Sequence, residues 1–251
     1  MPEPRPILQT IALTKTFGMV KAADGISVQI TQGELVGIVG ANGSGKTTFL
    51  NLITGYLTPD HGRILIMGRE STGLPPRRVI KLGLARSFQI PQLYTALSVL
   101  ENVLLSLAAQ AGKSTRVWKP LYRREWMAEG MHTLERFGLT AYAYRPVAEL
   151  PEGGRKLLDV ALSFALQPRL LLMDEPTSGV SIEDKFQVMD TLVGVLRQSD
   201  MTTIFVEHDM DVVQRYSQRV LVFDNGEVIA DGKPDSVLAT PEVRRAVLGR
   251  E

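Results

Sequence analysis

The chain has 251 residues, of which 44% are hydrophobic and 22% are charged, values typical of a globular protein with a sizeable core. The 28 lysines and arginines nearly balance the 27 acids, and a net charge of +1 argues against a nucleic-acid partner. Cysteine is absent, which excludes a disulfide scaffold, a cysteine-ligated zinc site and a thiol nucleophile. The sequence predicts neither a signal peptide nor a membrane span.

Alternating and continuous apolar runs predict three strands near the start of the chain. Ile26, Val28 and Ile30 alternate with polar residues, which indicates one strand with a solvated face. Residues 7–13 give a weaker signal of the same kind. Residues 35–39 are apolar throughout, as is typical of a parallel strand that is buried on both faces.

The middle of the chain, residues 91–165, is predicted to be helical. Ser98 and Glu101 have the spacing of a capping box in front of an apolar helical pattern. Residues 123–137 and 157–166 are two further candidate helices. A helical block therefore lies between two groups of predicted strands.

The last third of the chain returns to strands. Residues 170–173 and 203–206 form continuous apolar runs, and buried strands separated by helical segments predict an α/β sheet. Residues 220–223 and 227–230 flank the Asp-Asn-Gly sequence at 224–226. Because Asn-Gly between two apolar runs is a strong turn signal, we predict a hairpin there.

A glycine-rich segment after the strand at 35–39 predicts a phosphate-binding loop. The pattern G-x-x-x-x-G-K-[ST] is matched by Gly40, Ala41, Asn42, Gly43, Ser44, Gly45, Lys46 and Thr47. Its glycines let backbone N–H groups converge on phosphate oxygens, and Lys46 can reach the β and γ phosphates. The Thr47 hydroxyl can hold Mg²⁺, and a helix over residues 47–56 would point its positive end at the same anion.

Polar residues end two of the later buried strands. Asp174 and Glu175 follow the run at 170–173, where Asp174 can bind Mg²⁺ directly or through water. Glu175 can polarise the water that attacks the γ phosphate. His208 follows the run at 203–206 and can hydrogen-bond the γ phosphate and that water.

The combined motifs resemble the ATP-binding cassette (ABC) ATPases along nearly the whole chain, from about residue 7 to residue 249. The resemblance implies one α/β ABC ATPase domain over residues 1–251. A P-loop NTPase (RecA-like) core with an antiparallel β subdomain is expected in residues 1–90 and 166–251. An inserted α-helical subdomain with the signature segment is expected in residues 91–165.

The resemblance also implies site residues that the motifs alone do not reveal. Phe17 falls where the family stacks a ring on adenine, and Val20 would pack nearby. Gln89 falls at the loop that senses Mg²⁺ and contacts the membrane subunit. The implied catalytic residues are Glu175, His208 and Gln89. The implied Mg²⁺ ligands are Thr47, Gln89 and Asp174. The residues implied to bind ATP are the loop 40–47 together with Phe17, Val20 and Thr48.

The importers of branched-chain amino acids and related hydrophobic compounds are the branch that the chain resembles. The similarity lies in the segments FGMV, RSFQ, VEHDM and AVLG, which begin at residues 17, 86, 206 and 246, and in extra length over 108–124. It implies a peripheral subunit on the cytoplasmic face of the inner (plasma) membrane. Its implied partners are a second ATPase subunit, transmembrane permease subunits and, indirectly, a periplasmic solute-binding protein.

One segment departs from the family pattern Leu-Ser-x-Gly-Gln. The aligned residues are Leu150, Pro151, Glu152, Gly153 and Gly154. Proline replaces the serine whose hydroxyl meets the γ phosphate, glycine replaces the glutamine, and glutamate adds a negative charge. The loop at 178–181 also ends in serine where many relatives have aspartate.

This departure bears on the pairing of ATPase subunits. In the family, two subunits close head to tail, and each signature faces the phosphate loop of the other subunit. The groups that act on this chain's own nucleotide match the family, whereas those offered to the partner's nucleotide are altered. A heterodimer with a different ATPase subunit is therefore expected, and a homodimer stays open.

Three other functions stay open at this point. The chain can be the ATPase of a lipid or lipopolysaccharide exporter, a soluble ABC ATPase of DNA repair or translation, or a small-molecule phosphoryl transferase. Soluble relatives generally carry long coiled-coil insertions or two cassettes, which this sequence lacks, and a phosphoryl transferase leaves most motifs unexplained. Branched-chain amino acids, amides, urea and aromatic acids all remain possible cargo.

Overall fold

Strands and helices alternate along the residues that this computed structural model describes, which are 6–87, 92–111 and 121–248. The strands are β1 Pro6–Phe17, β2 Val20–Ile26, β3 Gln29–Thr31, β4 Leu35–Val39, β5 His61–Ile66, β6 Arg69–Glu70, β7 Leu84–Arg86, β8 Leu170–Asp174, β9 Thr202–Val206, β10 Arg219–Asp224 and β11 Glu227–Gly232. The α-helices are α1 Lys46–Ile53, α2 Pro76–Lys81, α3 Val99–Gln110, α4 Arg124–Arg136, α5 Glu152–Ala165, α6 Ile182–Gln198, α7 Met210–Tyr216, α8 Pro234–Leu238 and α9 Pro241–Leu248.

The described residues form two compact units. The first contains residues 6–84 and 201–248, and the second contains residues 85–87, 92–111 and 121–200. The sequence places the ends of the helical subdomain between residues 90 and 91 and between residues 165 and 166, and these boundaries stay a prediction. Within the described part of the chain, no helix combines the length and apolar character needed to cross a membrane.

A mainly parallel sheet forms the centre of the first unit. Strand β4 pairs in parallel with β9 on one side and with β10 on the other. All five residues of β4 are buried, which confirms the predicted strand at 35–39. The carboxyl ends of β4 and β9 therefore lie at the same edge of the sheet, where ligands of parallel sheets bind.

The predicted hairpin near the end of the chain is confirmed. Strands β10 and β11 pair antiparallel, with Asp224 opposite Glu227. The two turn residues, Asn225 and Gly226, have φ values of 45° and 84°. Such left-handed values at both positions are what a tight hairpin turn requires, and Asn-Gly supplies them at low cost.

An antiparallel sheet completes the first unit, with β1 paired to β2, β3 and β5, and β5 paired to β6. The prediction of one strand through Ile26, Val28 and Ile30 is wrong, because β2 ends at Ile26 and β3 begins at Gln29. The interruption accompanies an irregularity in β1. Ala12 has φ 46°, and its N–H donates to Ser27 Oγ at 2.8 Å instead of to a strand carbonyl.

Helices dominate the second unit, as the sequence predicted. The Ser98–Glu101 capping box is present at the start of α3, and α4 lies close to the predicted helix. Helix α5 begins at Glu152, earlier than the predicted start at residue 157, because Pro151 has an extended conformation that allows it to cap the helix. Helix α5 packs against α3, α4 and α6 and contacts β8.

Candidate nucleotide site

The predicted phosphate loop connects β4 to α1 in the first unit. Gly43 and Gly45 have φ values of 81° and 104°, which L side chains rarely adopt. A Cβ on Gly40 would lie 2.3 Å from the carbonyl oxygen of Phe223, and one on Gly45 would lie 2.5 Å from that of Ala22. The loop therefore needs glycine both for its turns and for its close approach to neighbouring backbone.

The ammonium group of Lys46 is enclosed by the loop itself. Its Nζ donates to the carbonyl oxygens of Gly40 at 2.7 Å and Ala41 at 2.8 Å, and to Ser44 Oγ at 3.4 Å. Lys46 is the first residue of α1, so a cation and the positive end of a helix lie together. A lysine ammonium beside a helix N-terminus suits a polyphosphate, and phosphate binding at this loop stays a prediction.

Thr47 and Thr48 follow in the first turn of α1. Thr47 is exposed and Thr48 is half-buried. A threonine hydroxyl at this position is an oxygen ligand of the type that Mg²⁺ prefers. The predicted roles of Thr47 in Mg²⁺ binding and of Thr48 in nucleotide binding stay predictions.

The hairpin turn between β10 and β11 supports the phosphate loop. The N–H of Gly226 donates to the carbonyl oxygen of Ser44 at 3.0 Å, and the N–H of Asp24 donates to the carbonyl oxygen of Gly226 at 2.8 Å. The turn thus connects the loop to strand β2. Sequence reasoning found this turn but not its contact with the loop, because no local pattern links residues from the two ends of the chain.

Phe17 and Val20 lie side by side where β1 turns into β2. Their Cα atoms are paired in the strand register, and their exposed fractions are 48% and 65%. The carbonyl oxygen of Ala22, further along β2, lies so close to Gly45 of the loop that a Cβ there would be 2.5 Å from it. The first unit therefore brings an exposed aromatic ring to the strand that borders the phosphate loop, and adenine stacking on Phe17 stays a prediction.

His208 lies two residues after the end of β9 and is exposed. The N–H of the preceding residue, Glu207, donates to the carbonyl oxygen of Ile38 in β4 at 3.2 Å. Because β4 and β9 are parallel neighbours, His208 and the phosphate loop leave the sheet at the same edge. The pairing of these two strands is what the sequence predicted, and the contact of His208 with the γ phosphate stays a prediction.

Asp174 and Glu175 lie in the second unit, at the end of β8. The Asp174 carboxylate is paired with Arg86, whose Nη2 is 2.6 Å from Oδ2, and both side chains are buried. A carboxylate suits Mg²⁺, and this ion pair engages one of its two oxygens. Sequence reasoning did not find Arg86 as a partner of Asp174, because their positions are far apart in the chain.

The backbone at Glu175 is in the left-handed region, with φ 49°. Its carbonyl oxygen accepts from the Ser178 N–H at 3.1 Å and from Lys156 Nζ at 3.5 Å. Left-handed backbone in a residue with a long side chain costs energy and often occurs at functional sites. The assignment of Glu175 as a catalytic residue stays a prediction that this conformation favours.

The predicted signature segment forms the start of α5. Leu150 is buried, Pro151 is the N-cap without a side-chain capping bond, and Glu152 begins the helix. A Cβ on Gly179, in the loop after Glu175, would lie 3.7 Å from Cγ of Glu152. The segment and the Glu175 loop are therefore neighbours within the second unit.

The two glycines of this segment differ in the space around them. A Cβ on Gly153 would meet Val188 Cγ2 at 3.1 Å, and one on Gly154 would meet Leu150 Cδ2 at 2.7 Å. Any side chain at residue 154 thus requires Leu150 to move. Gln89, which the resemblance places in the Mg²⁺ and catalytic sets, lies outside the described residues.

Comparison with known proteins shows which family this chain is similar to. The family described as ABC transporter matches residues 23–178. The high-affinity branched-chain amino acid transport ATP-binding protein BraF of Pseudomonas aeruginosa is 32% identical over 251 residues, covering 98% of each chain.

Solved structures give the same result. The ADP conformation of an ATP-binding cassette of an ABC transporter superposes with a TM-score of 0.85 and 30% identity, covering 98% of this chain and 99% of that one. A dimeric post-hydrolysis state of an ATP-binding cassette bound to ADP and Pi has a TM-score of 0.77 and 26% identity, covering 90% of this chain and 98% of that one. The TM-scores show that the folds are alike, and the identities show that the sequences are related as well.

Proposed function

Because the chain belongs to the ABC transporter family and is an ATPase of that family, we propose that it powers an importer of branched-chain amino acids or related small solutes. The observation that carries the proposal is the similarity, over 98% of both chains, to a branched-chain amino acid transport ATP-binding protein. Amide and aromatic compounds of similar size belong to the same proposed range of cargo. The cargo itself is chosen by other subunits.

Within this proposal, the first unit supplies the groups that hold ATP. Lys46 and the loop N–H groups bind the β and γ phosphates, and Phe17 and Val20 hold the adenine ring. His208 hydrogen-bonds the γ phosphate from the same edge of the sheet. The hydrogen bonds from Lys46 to the loop carbonyls support this assignment, since they hold a positive charge in a fixed position at the loop.

Mg²⁺ is the proposed metal, and Thr47, Asp174 and Gln89 are its proposed ligands or the ligands of its water molecules. When bound, Mg²⁺ would neutralise charge on the phosphate oxygens. Glu175 is the proposed general base, which takes a proton from the attacking water. The hard oxygen donors of Thr47 and Asp174 support this choice of metal.

We propose that the chain acts as one ATPase domain over residues 1–251, held at the cytoplasmic face of the plasma membrane by transmembrane permease subunits. A dimer of ATPase subunits is supported by the dimeric cassette that the chain resembles. A heterodimer is the form that we propose, because Pro151 and Gly154 change the segment offered to the partner's nucleotide. A periplasmic solute-binding protein would deliver the cargo to the permease.

Purification from native membranes tests the assembly. A tagged chain is expected to bring with it permease subunits and a second ATPase, identified by mass spectrometry. Uptake of radiolabelled leucine, an amide and an aromatic acid is then compared in cells that carry the wild-type chain or Lys46→Ala. Loss of uptake of one solute class in the Lys46→Ala cells would identify the cargo.

Two outcomes would contradict the proposal. Recovery of the chain with soluble proteins alone would favour a function outside transport. If export of a lipid depends on Lys46 and solute uptake does not change, the chain powers an exporter and not an importer.

A further inference from the structure

Helix α5 carries two buried residues with charged side chains, a lysine and an aspartate. Lys156 and Asp159 are only 4% and 6% exposed. Their separation of three positions in one helix makes them neighbours on its surface. Buried charges of this kind are costly and are retained only when they are compensated.

The ammonium group of Lys156 reaches beyond its own helix. Its Nζ lies 3.5 Å from the carbonyl oxygen of Glu175, within hydrogen-bond distance. Both residues belong to the second unit, and α5 contacts β8, the strand that ends just before Glu175. The Lys156 side chain and the backbone N–H of Ser178 both donate to this carbonyl.

The residue whose carbonyl Lys156 contacts has an unfavourable backbone conformation. Glu175 has φ 49°, which its Cβ disfavours. A left-handed backbone persists only when surrounding contacts hold it. The direction in which the Glu175 carboxylate points depends on this backbone angle, since χ1 begins at the same Cα.

We propose that Lys156 is a positioning residue for Glu175. Its ammonium holds the Glu175 carbonyl, keeps the strained turn after β8 in place, and thereby aims the carboxylate at the attacking water. The inference rests on the proposed role of Glu175 as general base. It also connects the start of α5, where the altered signature segment lies, to that base within one compact unit.

A purely structural role makes a different prediction. If Lys156 only neutralised Asp159, replacing both by apolar residues would remove the need for either charge. Such replacements of buried ion pairs are often neutral or stabilising. The double variant Lys156→Met with Asp159→Leu therefore separates positioning from charge compensation.

The experiment measures ATP hydrolysis, ATP affinity and the unfolding midpoint for wild type, Lys156→Met, Lys156→Arg and the double variant. We expect Lys156→Met to lower kcat by about tenfold to a hundredfold, the usual cost of a misplaced group, with KM and ATP affinity little changed. The double variant should fold and keep the kcat loss. Lys156→Arg should recover part of kcat, and Lys81→Met, at an exposed lysine, is the control.

A second comparison tests whether Lys156 acts through Glu175. In a Glu175→Gln background, Lys156→Met should cause no further loss of kcat, because residues that act as a unit are not additive. Wild-type kcat in the double variant, or a full additional loss in the Glu175→Gln background, would overturn the positioning role. An unchanged rate for Glu175→Gln alone would instead contradict the proposed base, and a wild-type chain without ATP binding would contradict the proposed function.

Discussion

The N–H of Gly226 donates a hydrogen bond of 3.0 Å to the carbonyl oxygen of Ser44. This bond joins the turn of the β10–β11 hairpin to the middle of the phosphate loop. A Cβ on Gly226 would lie 2.6 Å from the carbonyl oxygen of Lys21, so the turn is pressed against β2 as well. The phosphate loop is therefore supported from outside its own motif.

The first prediction concerns this support. Gly226→Ala should lower the free energy of unfolding by about 1–3 kcal/mol more than Gly68→Ala and should weaken ATP binding. Both glycines have φ values in the left-handed region, 84° and 73°, but nothing lies within 4 Å of a Cβ on Gly68. Urea unfolding and nucleotide titration of the two variants measure the difference. Equal stability and equal ATP affinity would show that the turn does not support the loop.

The second prediction concerns the adenine ring. Phe17→Ala should weaken the binding of ATP and ADP by about 1–3 kcal/mol, the scale of losing one stacked ring. Met19→Ala is the matched control, because Met19 lies in the same turn and is 99% exposed. Fluorescent-nucleotide titration compares the two. An affinity in Phe17→Ala equal to that of the control would remove Phe17 from the site.

The third prediction concerns the pair of Arg86 and Asp174. Arg86→Met should destabilise the chain by about 3–5 kcal/mol, because it leaves a buried carboxylate without its cation. Arg63 and Glu70 form an ion pair with a similar N–O distance, but their side chains are 62% and 44% exposed, respectively. Arg63→Met should therefore cost less than about 1 kcal/mol. Chemical denaturation measures both, and a small effect of Arg86→Met would mean that Asp174 is compensated in another way.

The fourth prediction follows from the altered signature segment. In a heterodimer with a partner that has an unaltered signature, Glu175→Gln here should slow ATP turnover by at least about a hundredfold, the usual scale for a lost general base. The equivalent change in the partner should matter less, since Pro151 and Gly154 of this chain complete the partner's site. The isolated chain should hydrolyse ATP weakly. Full activity of a homodimer, or equal loss from the two changes, would contradict this asymmetry.

The same prediction has a test by restoration. Pro151→Ser with Gly154→Gln should raise the activity of the isolated chain, provided that Leu150 moves away from the new Cβ. A serine N-cap stabilises a helix by about 1 kcal/mol, while loss of proline costs a similar amount through the unfolded state. These two effects at residue 151 nearly cancel, so a gain in activity without a higher unfolding midpoint would reflect the site and not the stability. Unfolding midpoints of both proteins serve as the control.

Features that depend on short-range spacing could be predicted from the sequence. The phosphate loop, the buried strand β4, the Asn225–Gly226 turn and the Ser98–Glu101 capping box each lie within a few consecutive residues. Backbone conformation and hydrogen bonding in such segments are set mainly by local residue type. The predicted roles of Phe17 and Gln89 come from the family resemblance, because no local pattern indicates them.

Features that depend on packing between distant segments were decided only by the tertiary structure. The break between β2 and β3 lies beside the hydrogen bond from Ala12 to Ser27, and the turn at Gly226 supports the phosphate loop. Lys156 lies just before the candidate helix that the sequence predicts at 157–166, but the fold places it within α5, buries it and brings its ammonium to the Glu175 carbonyl. Sequence determined which groups of the chain can do chemistry, whereas long-range contacts decided which groups hold them in position, because only folding brings distant segments within hydrogen-bond distance.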